Sequence, residues 1–188
     1  MNVNIPLLDE IAAESRRLLR EVSETNDRAA AITAAAVVDD LLHLLLRGSM
    51  LKDDKTVGEL LDVDSFTFSI RIDLCYSFGL ISELERRDLH IVRKIRNDFA
   101  HSWTPVSFDD PGTRDRCRSL NLAQRFWSLA KVNPTNTKTW FLTGWVVLAN
   151  HLSLRLNGSR HTNIAAELGT DVPIVFGGGS APGAALVE

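Results

Sequence analysis

Between Thr25 and Leu46 the chain carries a run that reads as an unusually apolar helix. Thr25 or Asn26 is a natural N-cap, because a short side-chain oxygen can accept one of the free N–H groups of a first turn. The residues that follow are small at first (Ala29 to Ala31, Ala34 to Ala36) and then rich in leucine (Leu41, Leu42, Leu44, Leu45, Leu46). Apolar side chains nearly surround this helix rather than forming one stripe. It is therefore expected to be central, or to lie in an oligomer interface. Wet in a monomer, such a surface would drive self-association, so a homodimer is expected.

The segments around it read the same way. Asn4 can cap a first helix opening on Ile5-Pro6, with Asp9 and Glu10 near its positive end. Its stripe is Ile5, Leu8, Ala12, Ser15, Leu18 or Leu19, and Val22. Gly48 to Phe66 is a polar connection with one possible helical turn around Val57 to Leu61. A third helix over Phe68–Phe78 places Ile70, Leu74 and Phe78 on one face, and Gly79 stops it. Ser82-Glu83-Leu84-Glu85 is a capping box, which starts a fourth helix running to about Ala100 with Leu84, Ile91, Ile95 and Phe99 on its apolar side. Trp103 to Gly112 is stiffened by Trp103, Pro105, Phe108 and Pro111 and reads as an ordered loop. A fifth helix is expected from about Thr113 to Lys131 and a sixth from about Thr137 to Leu156.

These segments predict an all-α bundle of five to six helices over residues 1–157, followed by a flexible Gly-rich C-terminal tail over residues 158–188. Gly177 to Gly183 cannot hold a regular element, and Val172 to Phe176 is the one plausible strand. No sheet larger than a stray hairpin in the tail is expected.

The 188 residues suit one domain with a real core, and 45% apolar with 24% charged residues is ordinary for a globular protein. A net charge of −3 argues against wholesale nucleic-acid binding. Cys75 and Cys117 neither match a metal-ligand spacing nor make a disulfide scaffold, which fits a reducing cytoplasm. The N-terminus shows no basic region followed by an apolar run, so no signal peptide is expected. The most membrane-like segment, Trp140 to Leu156, carries Asn150, His151 and Arg155 and keeps Trp145, Leu148, Leu152 and Leu156 on one face, as a core helix does.

Chemistry concentrates at the end of the fourth helix. Arg96, Asn97 and His101 put an anion-fixing guanidinium, an amide and a group that moves protons near neutral pH within six residues. Metal-free RNA cleavage would need His101 as general base or acid on a 2′-hydroxyl and Arg96 on the phosphorus oxygens. Five residues rotate by about 500° on an ideal helix, so Arg96 and His101 do not share a face. His101 can fold back only if the helix frays or turns at Phe99-Ala100. The simpler reading is a helix end at which Arg93, Lys94, Arg96 and His101 complement the negative pole of the dipole.

Arg96-Asn97-Asp98-Phe99-Ala100-His101 resembles the R-polar-x-x-x-H motif of HEPN domains, small helical bundles that include ribonuclease toxins and non-catalytic relatives. A longer run, from Ala29 to Ser102, is similar to the mannitol operon repressor (MltR) family of bacterial regulators. It passes through Phe68-Ser69-Ile70-Arg71-Ile72-Asp73-Leu74-Cys75-Tyr76-Ser77-Phe78-Gly79-Leu80-Ile81 into Glu85, Asp88-Leu89 and the Arg-Asn-Asp-Phe-Ala-His end. That resemblance implies an all-helical repressor without a recognised DNA-reading motif. Its regulation would run through protein partners, among them the phosphocarrier HPr of the sugar phosphotransferase system. The HEPN resemblance implies instead a metal-independent endoribonuclease acting on RNA through Arg96, Asn97 and His101.

Other features weigh toward structure rather than chemistry. A helix-turn-helix across Gly79 would push Ser82-Glu83-Leu84-Glu85 at phosphates with the wrong charge, so sequence-specific DNA binding is not expected. Arg86, Arg87, Arg93, Lys94 and Arg96, with Arg114, Arg116, Arg118 and Arg125, alternate with Glu83, Glu85, Asp88, Asp110 and Asp115, which reads as a solvated mixed-charge face. His43 and His151 lack a second ligand at metal spacing, and Gly177 to Gly179 precedes no helix and no Lys-Ser/Thr pair. No cofactor and no metal are expected. Trp127, Trp140 and Trp145 read as core or interface aromatics.

Overall fold

The computed structural model describes residues 5–50, 54–61 and 66–160, and every regular element among them is a helix. In chain order these are α1 (Ile5–Glu24), α2 (Asp27–Ser49), α3 (Asp54–Leu61), α4 (Phe68–Ser77), α5 (Glu83–His101), α6 (Pro111–Arg118), α7 (Asn121–Ala130) and α8 (Thr137–Arg160). The all-α bundle is as expected, with eight helices among the described residues in place of five or six. The possible turn after Gly48 is the short helix α3. The single helix expected over Thr113–Lys131 is broken at Ser119-Leu120 into α6 and α7. Residues 158–160 of the expected tail belong to α8; the rest of it, with its possible strand at Val172 to Phe176, lies outside the described residues, as does the Asn4 cap.

Helix α2 is the axis of the bundle. Asn26 caps it by accepting the N–H of Ala29 at 2.9 Å, and α8, α5, α4 and α1 pack around it. Ala30, Ala31, Ala34, Ala35, Val38, Leu42, Leu45 and Leu46 are all buried. The small residues let neighbouring helices approach, and the leucines fill the wider half. Of the two places open to it, α2 takes the central one, although Ile32 and Leu44 on it remain 39% exposed. It is also the one described helix long and apolar enough to cross a membrane, rather than the Trp140–Leu156 segment.

Helix α4 faces the core with Phe68, Ile72 and Cys75, and of the expected face Ile70, Leu74 and Phe78 only Leu74 packs against it. Ile70 and Phe78 are 42% and 57% exposed. A spacing of four is available on both sides of this helix, so periodicity alone does not choose. A tertiary ion pair does: Arg71 Nη1 donates to both carboxylate oxygens of Asp39 on α2 at 2.9 Å. Gly79 at φ 70 then turns the chain, in the left-handed region that suits glycine.

The capping box that opens α5 is present in both halves, Glu85 N–H to Ser82 Oγ and Ser82 N–H to Glu85 Oε2. Helix α5 buries Leu89, Val92, Ile95 and Phe99, with Leu84 and Ile91 only partly covered. The following loop is ordered as expected. It drops Phe108 between Phe99 and Phe141, with ring centroids 4.9 Å apart on each side, while Trp103 stands fully in solvent. Pro111 opens α6 two residues earlier than expected, at the position where its missing N–H costs nothing. Trp145 is fully buried on α8, and Ser15 of α1 bonds to Asn150 of α8. Both cysteines are free and buried, and burial pushes each thiol up to about 12.

Candidate functional site

Helix α5 carries the candidate residues at both of its ends. Its C-terminal end holds Arg96, Asn97 and His101. The helix stays regular through His101, and Ser102 is its C-cap. Phe99, fully buried against Phe108, pins the last turn, so the fray that would let His101 fold back is absent. Arg96 and His101 therefore point roughly 140° apart about the axis. Among the described residues, no hydrogen bond or ion pair joins Arg96, Asn97 and His101. His101 is exposed and lines a surface hollow of about 410 Å³ with Arg28, Ala100, Ser102 and Trp103. Arg28 is occupied in holding that loop: its Nη2 donates to the carbonyls of Ser102 at 2.9 Å and Thr104 at 3.3 Å. The neighbouring Asp98 accepts from Arg116 Nη1 at 2.6 Å.

The N-terminal end of α5 is where sequence reasoning missed most. Glu85 and Asp88, expected on a solvated face, are 2% and 0% exposed. Glu85 Oε1 faces α8, where His151 Nδ1 lies at 3.0 Å and Arg155 Nη1 at 2.7 Å. Burial alone would raise the carboxyl. The His151 hydrogen bond, the Arg155 charge and hydrogen bond, and the Ser82 N–H outweigh it and bring the pKa down to about 2.

Asp88 faces α7, whose N-cap residue is Leu120 and makes no side-chain cap. Asp88 Oδ2 accepts the N–H of Leu122, and Oδ1 accepts the N–H and the side-chain amide of Asn121. Burial nonetheless holds this carboxyl above its ordinary value, against those hydrogen bonds. The sequence did carry one sign of this face: Glu85, Asp88, Leu89 and Val92 fall at helical spacing with the buried positions.

The remaining charges near this end are tied to each other. Arg86 and His90 reach Asp73 of α4 at 2.9 and 3.2 Å, Arg87 reaches Glu83 at 2.8 Å, and the Arg86 guanidinium lies over the Tyr76 ring. The contacts of Arg86 and His90 with Asp73 and Tyr76 hold α4 against α5. The basic side chains that a helix-turn-helix would offer to DNA are thus engaged beside the carboxylates of Glu83 and Asp73. Among the described residues, no group of three or more His, Cys, Asp or Glu side chains could hold a metal ion.

Leu129, at 84%, is the most exposed large apolar side chain after Trp103, and Phe126 and Val132, on and just after α7, are exposed as well. Trp127 beside them and Trp140 at the start of α8 line an open hollow of about 470 Å³. Of the three tryptophans expected in a core or an interface, Trp145 and Trp140 are buried in the core and Trp127 is partly buried against it.

A chain in the X-ray structure of the MtlR-HPr complex from Escherichia coli shares this arrangement, with a TM-score of 0.58 and 18% identity. The match covers 75% of the present chain and 99% of the other. The likeness is one of fold. No protein-family model and no curated protein matches the chain.

Proposed function

We propose that this protein is an MltR-like transcriptional regulator, a repressor that acts through a protein partner rather than by reading DNA, with HPr as the candidate partner. The observation that carries the reading is the shared fold with a chain of a complex that itself contains HPr. The run from Ala29 to Ser102, similar to the same family, supports it independently of the fold. So does the α4–α5 hairpin. Its second helix opens on Glu83 and Glu85 and keeps Arg86 and Arg87 in ion pairs, which leaves no basic helix end for the major groove.

Calorimetric titration of the full chain with HPr, unphosphorylated and phosphorylated, tests this. Saturable binding of either form is expected. The same chain should bind duplex DNA weakly and without sequence preference at physiological salt. Tight DNA binding that survives excess competitor DNA would overturn the reading.

A further inference from the structure

Helix α2 is apolar beyond what its own chain covers. Helices α1, α3, α4, α5 and α8 pack against it, yet only 44% of its most apolar window is buried. The uncovered residues are not scattered. Ile32, Ala36, Asp40 and Leu44 recur at a spacing of four and are all exposed, so they form one row along the helix. Asp40 is the one charge in that row, and among the described residues it has no ion pair.

Helix α4 carries a second apolar row beside the first. Ile70, Leu74 and Phe78 are four apart, and the Phe78 N–H bonds to the Leu74 carbonyl at 2.9 Å, which keeps Phe78 in the helical register. Ile70 and Phe78 are exposed, and Leu74 is partly so. The Asp39–Arg71 ion pair joins the two rows edge to edge. Asp39 lies seven residues after Ile32, and Phe78 seven after Arg71. Two full turns bring such residues round to within about 20° of each other. The paired side chains are 19% and 21% exposed, so they mark the outer seam of the α2–α4 contact, with an apolar row on either side.

An apolar face built on two packed helices marks an interaction site. Size and charge select what covers it. The α2 row is about 18 Å long, and two helices side by side are about 20 Å wide. Two such faces brought together bury on the order of 1,000 Å², the lower bound for a specific protein interface. Arg71 at the seam is already held by both oxygens of Asp39, so it offers no charge to a phosphate or an anionic headgroup. Apolar rows on either side of a satisfied ion pair match a second set of the same rows.

We propose that a second copy of this chain covers this face, in a two-fold dimer that lays the α2 and α4 rows of one protomer on those of its partner. A two-fold axis is what a face that matches itself requires. The second apolar side of α4 is then buried too, and Asp40 comes near its own counterpart. The small area and that like-charge approach make the dimer a weak one. It goes beyond the regulator reading and does not depend on HPr.

Sedimentation equilibrium of the full chain from about 5 to 200 μM tests this, and wild type should pass from monomer to dimer over that range. Leu44→Asp should raise the dissociation constant by about 30-fold or more, since a two-fold places the change in the contact twice. Asp40→Asn should lower it about threefold by removing the like charges. Leu129→Asp on α7 should leave it unchanged. Circular dichroism checks that each variant is folded. A second measurement needs no disruptive change. Ala36→Cys treated with a short bis-maleimide should be linked into a dimer, while wild type, whose Cys75 and Cys117 are buried, should not. Wild type that stays monomeric throughout the range would overturn the proposal. So would a dimer that Leu44→Asp leaves intact, or one that Leu129→Asp dissolves. Monomeric wild type whose HPr binding is lost in Leu44→Asp would give the face to HPr instead.

Discussion

Asp88 on α5 accepts the backbone N–H of Leu122 at 2.8 Å, so α7 begins on a cap that comes from another helix. Leu120, in the N-cap position, has no side-chain oxygen, and the first turn of α7 would otherwise bury its N–H groups without partners. The chain can therefore break at Ser119-Leu120, turn, and lay α7 against α8. There Gly144 lets Leu120 come close, since a Cβ at that position would lie 3.0 Å from Leu120 Cδ1. The break is what places Phe126, Leu129 and Val132 outside.

Asp88→Ala should be among the most damaging polar substitutions in the protein. It removes the acceptor of three hydrogen bonds at a fully buried site. A loss of about 2 to 3 kcal/mol in urea unfolding is expected, as for buried donors left unsatisfied. Asp88→Asn, which keeps a carbonyl oxygen, should lose less. Equal stability of Asp88→Ala and wild type would show that α7 does not depend on this cap.

Glu85 should make stability fall in acid. Its folded pKa of about 2 lies below the ordinary value of 4.5, so its contribution is fully present above about pH 4.5 and is lost as pH falls toward 2. The full effect is on the order of 3 kcal/mol. Asp88, shifted the opposite way, opposes this trend, because protonation favours its folded form. Urea unfolding of wild type and Glu85→Gln at pH 6 and pH 3 isolates the Glu85 part. The gap between the two proteins should be larger at pH 6. A gap independent of pH would rule out the low pKa.

Two isoleucines on one short helix report which way α4 faces. Ile72 is fully buried and Ile70 is 42% exposed. Ile72→Ala should cost about 2 to 4 kcal/mol, and Ile70→Ala about 0.5 kcal/mol or less. The reverse order would restore the face read from the sequence.

The two readings of Arg96, Asn97 and His101 separate in one assay. Single-stranded RNA incubated with the full chain in the presence of chelator should remain intact, since nothing among the described residues brings Arg96 to His101. His101→Ala should lower stability by only a few tenths of a kcal/mol, the size of a cation's interaction with a helix C-terminus. Metal-independent cleavage by wild type that disappears in His101→Ala would instead establish the endoribonuclease.

Local patterns determined a good part of this protein. The Asn26 cap, the Ser82–Glu85 capping box and the Gly79 stop were legible because each is satisfied within one turn of the chain. The central place of α2 was legible as one of two options because too much of its surface is apolar for any peripheral site. What the tertiary structure decided were the matters that depend on a residue far along the chain. Arg71 meets Asp39 across 32 positions and turns α4 over, Glu85 meets Arg155 across 70, and Asp88 meets Leu122 across 34 and splits one expected helix into two. A carboxylate on a helix has the same local pattern whether it faces water or a buried partner. Only the partner, brought up by packing, repays its desolvation, and that partner is not a neighbour in sequence.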